Sequence, residues 1–180
     1  MINNVDKTIA TKHYEEELAI AWDDVTGKEL DSSKVKRARK EEVEYIHKTN
    51  LYTKVPRNKA NQFKAKVITV RWIDMNKGDN INENYRSRLV AREIKTSTRP
   101  DLFAATPPLE ALEIVLSLLA SSNKGETIMV NDVSRAFFCA PARRQVFVEL
   151  PQEDKDNRDM VGELNYSMYG TRDAAQNWGG

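Results

Sequence analysis

Asp132 stands where an apolar run meets two aromatic rings, in Thr127-Ile128-Met129-Val130-Asn131-Asp132-Val133-Ser134-Arg135-Ala136-Phe137-Phe138. The β-favouring residues Thr127 to Val130 predict a short buried strand that presents Asp132 at its C-terminal end and then turns into a helical segment. A carboxylate placed there could hold a hard cation, because Mg²⁺ takes oxygen ligands and usually needs only one or two carboxylates beside substrate phosphates. It could equally cap the turn over Ser134-Arg135-Ala136, the commoner use of such an Asp. These residues alone leave both readings open.

Arg86, Arg88 and Arg92 form the second group with chemical potential. They alternate with Ser87, Leu89 and Ala91, so a strand period of two puts all three guanidiniums on one face. Such a face would clamp a polyphosphate or a nucleic-acid backbone. A charged solvent face of an antiparallel hairpin has the same pattern. Asp23-Asp24 is the one adjacent Asp pair, but it lies outside any apolar strand and does not read as a metal site.

Several elements must position these groups. Lys66 to Asp74 is a β-rich run, Asn76-Lys77-Gly78-Asp79 a turn, and Tyr85 to Arg92 a returning strand, which together predict a long hairpin. Asp31-Ser32-Ser33 supplies caps for a helix over 34–48, with Val35, Ala38, Glu42 and Ile46 on its inner side and Asn50 as its stop. Its alternating basic and acidic residues otherwise read as a solvated face. Leu51 to Pro56 fits a short strand. Thr106-Pro107-Pro108 opens a helix through Ala120 whose wide apolar belt predicts burial on most sides. Gln145 to Leu150 is a strand stopped by Pro151, and the charged stretch 152–159 reads as a flexible loop. Thr171 is a candidate cap for a helix from Arg172. Tyr14, Leu18 and Trp22 would line a thin stripe on a short helix.

The near-zero net charge of +1 conceals an asymmetry. Residues 1–33 carry 3 basic and 8 acidic groups, residues 34–100 carry 18 and 7, and residues 101–180 carry 7 and 12, so the blocks run −5, +11 and −5. The central block is a candidate phosphate-facing surface. Residues 1–33 read as an acidic segment open to disorder, ahead of a folded unit over 34–180. The single Cys139 excludes an intrachain disulfide, fits a reducing intracellular compartment, and follows two Phe residues, which predicts a buried, inert thiol. No apolar run is long enough to span a membrane, and His13 and His47 have no Cys partners at zinc spacing.

Five stretches recur in one order: Arg86 to Arg92, Leu102 to Leu109, Asp132 to Phe137, Val146 to Pro151, and Met168 to Trp178. In that order and spacing the chain resembles the copia-type (Ty1/copia) retrotransposon reverse transcriptases over residues 34–180, and within them the type of element found in dinoflagellate genomes. The resemblance implies an α+β fold, a partial right-hand polymerase with a fingers hairpin at 66–92 and part of the palm at 101–180, built as an antiparallel sheet with packed helices. It implies Mg²⁺-dependent nucleotidyl transfer in the full-length family, with RNA or DNA template-primer and dNTP as partners. Asp132 and the Val133 carbonyl would be ligands to the two Mg²⁺ ions. Arg86, Arg88, Arg92, Ala136, Phe137, Tyr169 and Gly170 would face the nucleotide, with Phe137 as the steric gate against a 2′-hydroxyl. The family usually has Gln at the place of Asp173 and Pro at the place of Ala175, and a carboxylate there is expected to repel template phosphates. The family's Asp-Asp hairpin belongs well beyond Trp178, so these 180 residues are not expected to polymerise by themselves. A non-catalytic module that binds nucleic acid through the basic hairpin is the alternative. A nuclease built on Asp132 is disfavoured, because no further carboxylates cluster at strand ends.

Overall fold

The structure, a computed structural model, describes residues 20–79, 81–94, 107–122, 125–154 and 159–179. Two short strands, β1 (Ala21–Trp22) and β2 (Glu29–Leu30), pair antiparallel ahead of helix α1 (Ser32–Lys48). Asp31 caps that helix, its carboxylate accepting from the backbone N–H groups of Ser33 and Lys34 at 2.8 and 3.3 Å. Asn50, at φ 51°, turns the chain out of it. The buried side of α1 is Val35, Ala38, Glu42, Val43 and Ile46, the face expected from the spacing.

Strand β3 (Tyr52–Pro56), helix α2 (Arg57–Gln62) and strand β4 (Val67–Ile68) follow. With β7 (Phe147–Val148) and β8 (Met160–Leu164) the strands make one four-stranded sheet in the order β3-β8-β7-β4. Its pairs are antiparallel except β4 with β7, which is parallel, so the sheet is mixed. The long hairpin is separate: β5 (Val70–Asn76) pairs antiparallel with β6 (Tyr85–Ala91), from Val70 opposite Ala91 to Asn76 opposite Tyr85. The expected single strand over 66–74 is therefore two. Ile68 pairs with Val148, whereas Val70 pairs with Ala91, and the chain changes partners at Thr69. Alternation along a strand does not reveal that adjacent residues answer to different neighbours.

The main core lies between α1, the hairpin and the sheet, around Ile46, Leu51, Leu89, Phe138, Val148 and Met168. Helix α3 (Leu109–Ser121) stands apart from it. None of its described residues is buried, and Leu109, Ile114 and Leu118 are 60–68% exposed, contrary to the expected burial. Residues 125–133 form no strand, and Met129 and Val130 are more than 80% exposed. An apolar β-favouring run becomes a strand only where a neighbour supplies ladder hydrogen bonds, and no described strand pairs with this one.

Smaller expectations also fail. Cys139 is exposed, because it ends the 3-10 turn Ala136–Cys139 in which Phe138 takes the inward position. Gln152–Asp154 is an ordered 3-10 turn with Asp154 buried, the rest of that charged stretch lying partly outside the described residues. Thr171 does not cap a helix at Arg172: its hydroxyl donates to the Met168 carbonyl at 2.8 Å, and helix α4 (Ala174–Gly179) begins three residues later. Trp22 sits in β1 with its indole exposed; Tyr14 and Leu18 of the proposed stripe, and Thr106, lie outside the described residues. Residues 20–31 are folded onto the hairpin rather than loose, as the contacts of Asp23 and Asp24 explain below.

Candidate nucleotide and nucleic-acid interface

Strand β6 turns Ser87, Leu89 and Ala91 inward and leaves Arg86, Arg88 and Val90 on the outer side. The expected arginine face is therefore present, with Arg92 continuing it as an exposed side chain just past the strand. Arg86 is also exposed and donates to the Asn84 side chain. Arg88 is held differently, its guanidinium lying 5.5 Å from the centre of the Tyr169 ring.

The Tyr169-Gly170 pair reaches β6 by docking on its end. The Ala91 N–H donates to the Tyr169 carbonyl at 2.8 Å. Gly170, at φ +82°, passes so close that a Cβ would come within 1.9 Å of the Ala91 carbonyl oxygen. Only glycine accepts both that backbone conformation and that approach. Phe137 and Phe138 then pack on Tyr169 at centroid distances of 5.1 and 5.5 Å. Burial pushes the Tyr169 phenol above its ordinary range, with Arg88 pulling the other way. Three sequence-distant elements thus share one half-buried patch of a cation and aromatic rings: Arg88, Tyr169 and Phe137.

Asp132 does not join that patch. It is exposed, and among the described residues it has no hydrogen bond or ion pair. Val133 beside it is 45% exposed. Nor do three or more His, Cys, Asp or Glu residues converge as a metal site among the described residues. Two-metal nucleotidyl transfer needs shared carboxylates around both ions, and the described residues supply no such cluster around Asp132.

Asp173 also departs from expectation. Its carboxylate is buried, accepts from Arg144 at 2.9 Å and from the Asn177 amide at 3.2 Å, and so shows little charge to a template. Burial, the largest influence, would raise its pKa, but Arg144, the local backbone N–H and Asn177 together outweigh it and hold the carboxyl below the usual carboxylate range. Arg144 bridges onward to Glu93, which also accepts from the Arg172 backbone N–H at 2.9 Å.

Three polar clusters escaped sequence reasoning. Arg39 is only 14% exposed; it donates to both carboxylate oxygens of Asp74 at 3.2 and 2.6 Å, reaches Glu153 at 3.4 Å, and lies 5.3 Å from the Trp72 ring centre. Its place among the inward positions Val35, Glu42 and Ile46 was the available signal, since 35, 39, 42 and 46 follow a helical stripe. Asp154 is buried under Lys54 at 2.6 Å, His47 at 2.8 Å and the Tyr52 hydroxyl. The Asp23-Asp24 pair is a structural latch. Asp23 accepts from the backbone N–H groups of Val25, Thr26 and Asn76 at 2.8–2.9 Å, and Asp24 accepts from that of Asp74 at 3.0 Å. Carboxylates saturated this way by main-chain donors have no need of a metal.

The family described as Reverse transcriptase (RNA-dependent DNA polymerase) matches residues 49–180 of the chain. The Retrovirus-related Pol polyprotein from transposon TNT 1-94 of Nicotiana tabacum is 25% identical over 155 residues, 82% of this chain. The chain spans 11% of the length of that relative. No solved structure matches it.

Proposed function

The chain belongs to the reverse transcriptase (RNA-dependent DNA polymerase) family, in its copia retrotransposon type, and on that premise we propose that its described residues form the fingers-and-palm surface facing nucleotide and template in a Pol polyprotein. The observation that carries this reading is the stacking of Arg88 on Tyr169 with Phe137 beside it. A half-buried ring accepts a base or sugar face, and base–aromatic stacking is worth about 1–3 kcal/mol per base. Arg86 and Arg92, exposed along the same strand direction, supply phosphate contacts that position a backbone without reading its sequence. Gly170 lets the chain pass close to β6, Ala136 opens the turn that carries Phe137 and is assigned to the nucleotide-facing side with it, and Phe137 is assigned the gate against a 2′-hydroxyl. For Asp132 and Val133 the assignment stops at ligand identity, one arm of a Mg²⁺ site that these residues alone do not complete. Binding, and not polymerisation, is the activity assigned to this chain by itself.

The test is binding of a labelled single-stranded oligonucleotide and a primed template across a salt series. Each phosphate contact contributes about −0.7 to −0.9 to the slope of log K against log salt. Replacing Arg86 and Arg92 by Ala should flatten that slope, and Tyr169→Ala should weaken binding about tenfold or more, as loss of one stacked base predicts. Absence of salt-sensitive binding at low ionic strength refutes the reading. Template-dependent incorporation of dNTPs by these 180 residues with Mg²⁺ would refute the restriction to binding.

A further inference from the structure

We infer that Glu42 is a positioning residue for Phe137, acting through Arg135; the inference rests on the nucleotide-facing reading of Phe137 and Tyr169. Glu42 sits in the middle of α1, 1% exposed. One carboxylate oxygen, Oε2, accepts from both Nε and Nη2 of Arg135 at 2.9 and 2.7 Å, across 93 residues of sequence. The other, Oε1, is the single buried side-chain polar atom without a partner among the described residues. Burying a carboxylate with a spare oxygen is unfavourable, and an apolar residue of similar size would suit that face of α1 better. The acid is therefore explained by what it holds rather than by what it adds to the core.

What it holds is an unusual backbone. Arg135 has φ +53° and ψ +43°, the left-handed region that a branched or long side chain rarely adopts. Its carbonyl accepts from the Phe138 N–H at 2.9 Å and so starts the 3-10 turn Ala136–Cys139. Residues 125–134 ahead of it are exposed and form no helix or strand. Arg135 is thus where that stretch is fixed to the fold, through Glu42 and through the Tyr45 ring, 4.0 Å from its guanidinium. The left-handed turn at Arg135 decides that Phe138 points into the core and Phe137 lies against Tyr169. A backbone held in a sparsely populated region needs surroundings that over-determine it, and the Glu42 contact supplies them from the opposite element.

The full chain tests this with two readouts. In the wild type, the adjacent Phe137 and Phe138 rings, at 5.1 and 5.5 Å, should shift the Tyr169 ring resonances in aromatic NMR spectra. Glu42→Gln, which keeps the shape and removes the charge, should move those resonances toward free-tyrosine values and weaken binding of a fluorescein-labelled single-stranded oligodeoxynucleotide. In a Phe137→Ala background, Glu42→Gln should add no more than about a twofold further loss, since residues acting through one another are not additive. Unmoved Tyr169 resonances, or losses that simply multiply, overturn the inference. Should Glu42→Gln fail to fold, Arg135→Lys makes the same comparison, because it keeps the opposing charge and drops the second donor. Phe137→Ala without effect on binding sinks the nucleotide reading instead, while the NMR shift still judges the positioning on its own.

Discussion

Replacing Arg39 by Ala is the sharpest test of how the basic hairpin is held. The guanidinium bridges Asp74 on β5 and Glu153 in the 3-10 turn before β8, and it stacks on Trp72. Both acids are less than 10% exposed in their side chains. Removing the cation leaves the buried Asp74 carboxylate without the guanidinium that holds both its oxygens, and takes one contact from Glu153. Breaking one buried pair in this way costs about 3–5 kcal/mol. The Glu153 contact is longer, and the lost stacking adds about 0.5–1 kcal/mol. Asp74 keeps the Ser87 hydroxyl at 2.6 Å and Glu153 keeps the Trp72 indole N–H at 3.1 Å, so the total should stay near the upper end of that range and not double it. Against a typical stability of about 5–15 kcal/mol, such a loss moves a urea midpoint by a large fraction of its value. The assay is equilibrium urea unfolding followed by tryptophan fluorescence, with Trp72 as the local reporter. Arg39→Ala combined with Asp74→Asn should recover part of the loss, because one stranded charge is gone. A loss under about 1 kcal/mol, the value of an exposed pair, would refute the claim that Arg39 is the buried tie between α1 and the hairpin.

Three further outcomes follow from the same contacts. The backbone N–H of Asn76, then those of Thr26 and Val25, hold the Asp23 carboxyl at about 2. A depressed carboxylate contributes stability that is full above its unfolded value near 4 and is lost as pH falls toward 2, so Asp23→Asn should flatten the stability profile in that window in acid-titration fluorescence. Gly170→Ala should cost well over about 1 kcal/mol, since it combines a left-handed φ with a collision at the Ala91 carbonyl, and thermal unfolding would measure it. Cys139 should react with a maleimide in the native protein without prior unfolding; protection until unfolding would contradict its exposed position.

The sequence by itself determined the parts that depend on neighbours along the chain. Asp31 as cap, Asn50 as stop, the inner face of α1, the turn between β5 and β6, and the one-sided arginines all follow from local propensity and period. The five ordered motifs also pointed to the family whose model matches residues 49–180. Only the tertiary structure decided which distant groups meet. It gave Asp173 a counter-charge in Arg144, Glu42 a partner 93 residues away, and Asp23 the main chain of β5. Among the described residues it also leaves the apolar run at 127–130 without a pairing strand and helix α3 without a buried face. Hydrophobic pattern states what a segment is able to bury, whereas burial itself needs a second surface, and that surface is set by the rest of the fold.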